Sequence, residues 1–176
     1  DGSMPEDLTI FAHNGGCYDF NFVLQYIVKS IGSKHFKIVN VLPRGSSFLS
    51  MEIQRVYRDK TGTFEGPTIT FRDSLALLPF SLRQLTDSFK TECAKGEWDH
   101  ENVLKTRNDP LLIEYLRGDC VGLHKVLTKY FNWPLIKESG VCYTVASQAL
   151  RIFRTTLDEP LMGCPAVVDK FVRQAY

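Results

Sequence analysis

At 176 residues, with 44% hydrophobic and 23% charged side chains, the chain has ordinary globular composition, which excludes a disordered segment, a collagen-like repeat and a coiled coil. Twenty-one Lys and Arg against twenty Asp and Glu leave a formal charge of +1, so any nucleic-acid contact must come from a local groove and not from a basic surface as a whole. No apolar stretch approaches the roughly 20 residues that span a bilayer, and Asp1-Gly2-Ser3-Met4 lacks the layout of a signal peptide, so the sequence predicts a soluble chain with no membrane partner.

In chain order, Leu8–Ala12 is a short apolar run expected as a buried strand, stopped by the turn signal His13-Asn14-Gly15-Gly16. Phe20, Val23, Leu24, Ile27 and Ile31 recur at helical spacing, with Gly32 as the helix end. Phe36–Val41 and Ser47–Tyr57 favour strands, with Phe48, Met51, Ile53 and Val56 available to a core. Asp59-Lys60-Thr61-Gly62 predicts a hairpin tip and Thr68–Phe71 its return strand. Asp73-Ser74 with Leu75, Leu78 and Leu82 predicts a loop and a short helix interrupted at Pro79. Thr91–Pro110 has no clean period and reads as loop. Leu112, Leu116, Cys120, Leu123 and Leu127 trace the apolar stripe of a long helix ending near Trp133-Pro134, and a further helix is expected from a Thr144 cap through Phe153.

Five cysteines, Cys17, Cys93, Cys120, Cys142 and Cys164, are odd in number and contain no Cys-x-x-Cys, which predicts free thiols in a reducing compartment. Cys17 reads as a small filler residue. Residues 1–7 read as a polar start foreign to the fold, with the true start of the protein upstream.

Two carboxylates stand out. Asp19 follows a Gly pair where a strand gives way to a helix. It is either a helix-start Asp favoured by the dipole or a ligand for a divalent metal, with the glycines giving a substrate backbone room to approach. Asp119 lies within the long helix four residues after Tyr115, so phenol and carboxylate share a face about a turn apart. Beside an apolar stripe, such an Asp is solvated, paired or metal-bound.

Taken together, Asn14, Tyr18-Asp19 and Tyr115, Asp119 resemble the second and third motifs of the proofreading 3′–5′ exonucleases in family B DNA polymerases. Between them, Phe71-Arg72-Asp73-Ser74-Leu75 with Leu78-Pro79 is similar to the Asp-Ser-Leu, Leu-Pro segment of the protein-primed branch found in linear plasmids, adenovirus-like elements and small phages. Lys95-Gly96, Trp98 and His100 resemble the loop that follows it, and Gln174-Ala175-Tyr176 resembles the entrance to that branch's Tyr-x-Gly-Gly motif.

The resemblance implies an α/β, ribonuclease-H-like fold, a mixed sheet flanked by helices. Residues 8–160 would be the exonuclease domain and 161–176 the start of the connection to a polymerase palm. It implies Asp19, Tyr115 and Asp119 as catalytic residues. Asp19 and Asp119 would hold Mg²⁺ or Mn²⁺ in a two-metal site, and Tyr115 would orient the attacking water. Asn14, Tyr18, Ser74, Leu75 and His13 would contact a single-stranded DNA 3′ end, with a terminal protein primer as a further partner. The family's first motif, Asp-x-Glu, is expected upstream of Asn14. The one Asp-x-Glu present, Asp99-His100-Glu101, is out of order and reads as a decoy, so the metal site and the sheet are expected to be incomplete. A sheet lacking strands would carry an open edge that invites dimerisation. Two alternatives remain at this point. One is a non-catalytic binding module for protein or single-stranded nucleic acid; the other is a nuclease that recruits Asp73 as an extra carboxylate.

Overall fold

The structure, a computed structural model, describes residues 7–31, 35–58, 60, 62–91 and 110–157. Strand β1 (Leu8–Ala12) leads through the His13–Tyr18 loop into helix α1 (Asp19–Ile31). A meander follows, β2 (Phe36–Arg44), β3 (Ser47–Arg58) and β4 (Thr63–Asp73), and then helices α2 (Leu82–Ser88), α3 (Pro110–Phe131), α4 (Pro134–Ser139) and α5 (Val145–Thr155). The four strands form one mixed sheet in the order β1-β4-β3-β2. β1 runs parallel to β4, with Leu8 opposite Ile69 and Ala12 opposite Asp73, whereas β4, β3 and β2 are antiparallel in succession. The expected α/β mixed sheet with flanking helices is therefore what forms.

Most of β2 stays exposed, while helices pack on both faces of the sheet. On one, Phe20 and Ile27 of α1 pack with Phe48, Met51, Ile53 and Phe71, and the Phe20 ring lies within 5.8 Å of the Phe48 ring centroid. Phe48 and Met51 are three residues apart, which regular alternation would send to opposite faces. An irregularity in the β2–β3 pairing between Leu42 and Pro43 lets both reach α1. On the other face, Leu77, Leu78, Leu85, Val126, Leu127, Tyr130 and Ile136 form a second cluster, against which Phe11 of β1 packs. Thus α1 and α3 lie on opposite sides of the sheet, with β1 between them.

Several boundaries depart from the sequence reading for identifiable reasons. β4 begins at Thr63 and not at Thr68, passing through Gly66 and Pro67. These fall where the register with β3 shifts between Gln54 and Val56, a position that asks nothing of the missing proline N–H. The helix expected around Leu75–Leu82 is a single turn on Ser74. The helix proper starts only after Pro79, capped reciprocally by Ser81 and Gln84. α4, with Pro134 in its first turn, was not legible; Thr144 caps α5 as expected. On α3 the buried residues are Gly122, Val126, Leu127 and Tyr130, while Leu116 is 52% exposed and Cys120 is exposed. The predicted stripe holds only in the second half of the helix, where α2 and α4 provide something to pack against.

Arg72 ties the helical layer to the sheet, and Gln148 fastens the connection between α4 and α5 that Arg72 meets. The Arg72 guanidinium lies over the rings of Phe11 and Tyr143 and donates to the Cys142 carbonyl; burial lowers its pKa. Gln148, 3% exposed, accepts from the Cys142 N–H and donates to Ser139 Oγ and Gly140 O. Among the described residues no helix is long and apolar enough to cross a membrane. The expectations for residues 1–6, Gly32, Asp59, Thr61, the loop over 92–109 with Cys93, Lys95-Gly96, Trp98 and Asp99-His100-Glu101, and Cys164 and 161–176 fall outside the described residues.

Candidate functional site at the carboxyl end of β1 and β4

Two parallel strands that end together leave a crevice at their carboxyl ends, a recurrent place for a binding site in α/β sheets. Here β1 ends at Ala12 and β4 at its register partner Asp73, so the His13–Tyr18 loop and the Asp73–Phe80 segment lie side by side. Their contacts are specific. Asp73 Oδ1 accepts from the Asn14 N–H at 2.9 Å and from the Leu75 N–H at 2.9 Å, and Oδ2 accepts from the Gly16 N–H at 3.2 Å. His13 Nε2 donates to Phe80 O at 2.8 Å, and Nδ1 faces Ser74 Oγ at 3.1 Å. The Ser74 N–H donates to Ala12 O.

The loop itself is tightly folded. Asn14 has φ 65°, a left-handed conformation that Asn tolerates better than most side chains. Gly15 and Gly16 are buried, and a Cβ on Gly16 would stand 2.0 Å from Phe48 O. The expectation that these glycines make room for a substrate backbone is therefore corrected: the space they leave is filled by the protein's own Phe48 carbonyl and Phe20 ring. Turn bonds from Cys17 N–H to Asn14 O and from Phe20 N–H to Gly15 O then launch α1 at Asp19. Cys17 is exposed, so it fills no packed space.

The residues singled out from sequence fall into two groups. Tyr18, 63% exposed, and Asp19, exposed, sit on the surface at the start of α1, and Asn14 is half-buried beside them. Tyr115 and Asp119 lie one turn apart on α3, both half-buried. Neither Asp19 nor Asp119 has a hydrogen-bond or ion-pair partner among the described residues. Among the described residues the carboxylate with both oxygens engaged is Asp73, which speaks against its recruitment as a metal ligand. Ser74 is fully buried and its hydroxyl is used within the protein, so in this conformation it offers no surface to a DNA strand. Leu75 is half-buried, and the two ring nitrogens of His13 are spent on Ser74 and Phe80.

From Cys120, next to Asp119, a groove of about 400 Å³ runs between α3 and β1, lined by Thr9, Phe11, His124, Leu127 and Phe131 among others. β1 borders it as the edge strand of the sheet. Among the described residues no group of three or more His, Cys, Asp or Glu side chains is placed to hold a metal ion. The Asp73 clamp was not foreseen; the only sequence signal for it is Asp at a strand end, one residue before the Ser-Leu pair.

A mixed sheet with a parallel β1–β4 pair, an antiparallel meander and helices on both faces is a ribonuclease-H-like arrangement. Comparison with solved structures agrees with it. Phi29 DNA polymerase complexed with single-stranded DNA superimposes with a TM-score of 0.67 at 20% identity, over 96% of this chain and 30% of that one. An orthorhombic crystal form of the same polymerase gives 0.60 at 18% identity, over 84% of this chain and 25% of that one. The family model for DNA polymerase type B, organellar and viral, matches residues 2–109, and the chain belongs to that family. The DNA-directed DNA polymerase of Enterobacteria phage PRD1 is 29% identical over 148 residues, 84% of this chain and 21% of that polymerase. The chain thus spans between a fifth and a third of these relatives, and the resemblance to protein-primed family B polymerases read from the motifs holds.

Proposed function

We propose that this chain is the 3′–5′ proofreading exonuclease domain of a type B DNA polymerase, acting on the single-stranded 3′ end of DNA. One observation carries the reading. The loop between β1 and α1 is clamped so that Tyr18 and Asp19 are presented on the surface, while Tyr115 and Asp119 stand a turn apart on the helix beyond the other face of β1, with neither carboxylate paired among the described residues.

On this reading Asn14 and the exposed Tyr18 ring grip the frayed terminal nucleotides, since base stacking on an aromatic tolerates any sequence. Asp19 and Asp119, hard oxygen donors with free lone pairs, suit Mg²⁺ or Mn²⁺. The bound cations would supply Lewis-acid polarisation of the phosphate and a more acidic water. Tyr115 would orient the attacking water; the water oxygen bonds to phosphorus as the bond from phosphorus to the preceding 3′ oxygen breaks, and a proton from that water passes through solvent to the leaving oxygen, releasing a 5′-mononucleotide and a new 3′ hydroxyl. Two carboxylates are few for a metal pair. The family's Asp-x-Glu motif would supply the rest, and none stands among the described residues. In that architecture residues 8–160 form the exonuclease unit, 161–176 lead towards the palm, and a terminal protein primer is a further partner.

The second reading, a binding module without catalysis, is favoured by the lack of a three-ligand metal cluster among the described residues. A 5′-labelled single-stranded oligonucleotide with Mn²⁺ separates the two. The exonuclease reading expects stepwise 3′ shortening by the chain extended upstream to include Asp-x-Glu, abolished by Asp119→Ala. Binding that survives Asp119→Ala, with no shortening by the extended chain, would establish the second reading.

A further inference from the structure

A buried carboxylate is costly unless cations or hydrogen-bond donors replace its water. Asp73 is 9% exposed and forms no ion pair among the described residues; three backbone N–H groups satisfy it instead. The bond to Leu75, two residues on, is a local turn bond that an Asp at a strand end often makes. The bonds to Asn14 and Gly16 come from 59 and 57 residues away and cross from one parallel strand end to the other.

We propose that Asp73 is a positioning residue of this site, whose carboxylate fixes the Asn14–Gly16 backbone and through it the presentation of Asn14, Tyr18 and Asp19. The inference rests on the exonuclease reading for its consequence, and on the hydrogen bonds alone for its structural content. The placement is passed on by the loop's own bonds, Cys17 N–H to Asn14 O, Tyr18 N–H to Gly15 O and Phe20 N–H to Gly15 O, which set where α1 begins. A side chain at position 16 would crowd this clamp, because a Cβ there would lie 3.1 Å from Asp73 Oδ2 and the carboxylate would have to give way by a few tenths of an ångström. His13 adds a second tie in the same direction through Phe80 O and Ser74 Oγ. A carboxylate is required for a stereochemical reason. Asn can accept with one oxygen only, so its NH₂ would face the Gly16 N–H donor to donor.

The test is Asp73→Asn, read in two ways. Amide hydrogen exchange at Asn14 and Gly16 should accelerate at least about tenfold, with exchange in β3 unchanged. Binding of a fluorescein-labelled oligothymidylate with a free 3′ end should weaken about tenfold. Combining the change with Asn14→Ala should add no more than about a further factor of two, because Asp73 acts through the placement of Asn14. A merely structural role would make the two losses multiply. Independently of any variant, the unmodified chain should show NMR couplings across the hydrogen bonds from the Asn14 and Gly16 amides to the Asp73 carboxyl carbon. Missing couplings, unchanged exchange, unchanged oligonucleotide affinity or multiplying losses would each overturn the proposal. If the unmodified chain does not bind the oligonucleotide, the exonuclease reading fails, and exchange and couplings alone then decide whether Asp73 sets this loop.

Discussion

Replacing Gly16 and Gly118 by alanine should move stability in opposite directions, although both glycines flank candidate metal-binding residues. At Gly16 the new Cβ would meet the Phe48 carbonyl oxygen at 2.0 Å and its carbon at 3.1 Å, with Asp73 Oδ2 also at 3.1 Å. The obstacle is backbone in a paired strand, so no rotamer change relieves it. The cost is that of forcing atoms into a packed interior, about 3 kcal/mol. For a chain of this size each kcal/mol lowers Tm by about 2–4 °C, which gives a fall of about 6–12 °C. At Gly118, inside α3, a Cβ meets nothing within 4 Å. There alanine restricts the unfolded chain and favours the helix, worth about 0.5–1 kcal/mol or a rise of about 1–4 °C. Thermal melting by circular dichroism, with urea titration to check that the slope m is unchanged, reads both. A Gly16→Ala variant melting within about 2 °C of the unmodified chain would refute the claim that Phe48 closes this loop from behind.

Arg72→Met removes the guanidinium from between Phe11 and Tyr143 and its bond to the Cys142 carbonyl; a loss of about 2–3 kcal/mol is expected in urea denaturation, and less than about 0.5 would contradict the role given to it. Gln148→Leu leaves the Cys142 N–H and the Gly140 carbonyl without their partner and should cost about 2–4 kcal/mol by the same measurement. Ser50→Ala goes the other way: its hydroxyl is buried with no partner among the described residues, so removing it should leave stability unchanged or raise it by about 1 kcal/mol. Burial foremost, and Cys142 next, raise the Tyr130 phenol above its ordinary value. The raised group contributes stability present below the unfolded-chain value of about 10 and lost as pH climbs through the folded value, so urea midpoints should fall above pH 10 and fall less in Tyr130→Phe.

Much of the fold was legible because its signals are local. Leu8–Ala12 is a short run with Thr9 its one polar residue, Thr144 stands where an N-cap should, and Phe20, Val23, Leu24 and Ile27 keep helical spacing; β1, α5 and α1 form there, although β1 is at the sheet's edge with Leu8, Thr9 and Ile10 exposed and not the buried strand expected. Where the outcome depends on distant partners, local signals mislead. Gly66-Pro67 reads as a strand breaker, yet pairing with β3 carries β4 through it by placing the pair at a register shift. The stripe on α3 is regular along its length, but only the half that meets α2 and α4 is buried. For the site, Asn14, Tyr18-Asp19 and Tyr115, Asp119 could be picked out because their spacings are short. That Asp73 holds the loop carrying Asn14, and that Ser74 is buried behind it, depends on two parallel strands ending side by side. No spacing within either segment encodes that.

The central claim is that Asp19 and Asp119, on helices that flank β1 from opposite faces, serve one metal site. Titrating Mn²⁺ into isotopically labelled chain and following paramagnetic broadening of amide signals tests it directly. The account predicts that signals around Asp19 and around Asp119 broaden together at the same Mn²⁺ concentration, and that Asp19→Asn or Asp119→Asn alone weakens both. Broadening confined to one carboxylate, or at both but lost independently in the two variants, would contradict it.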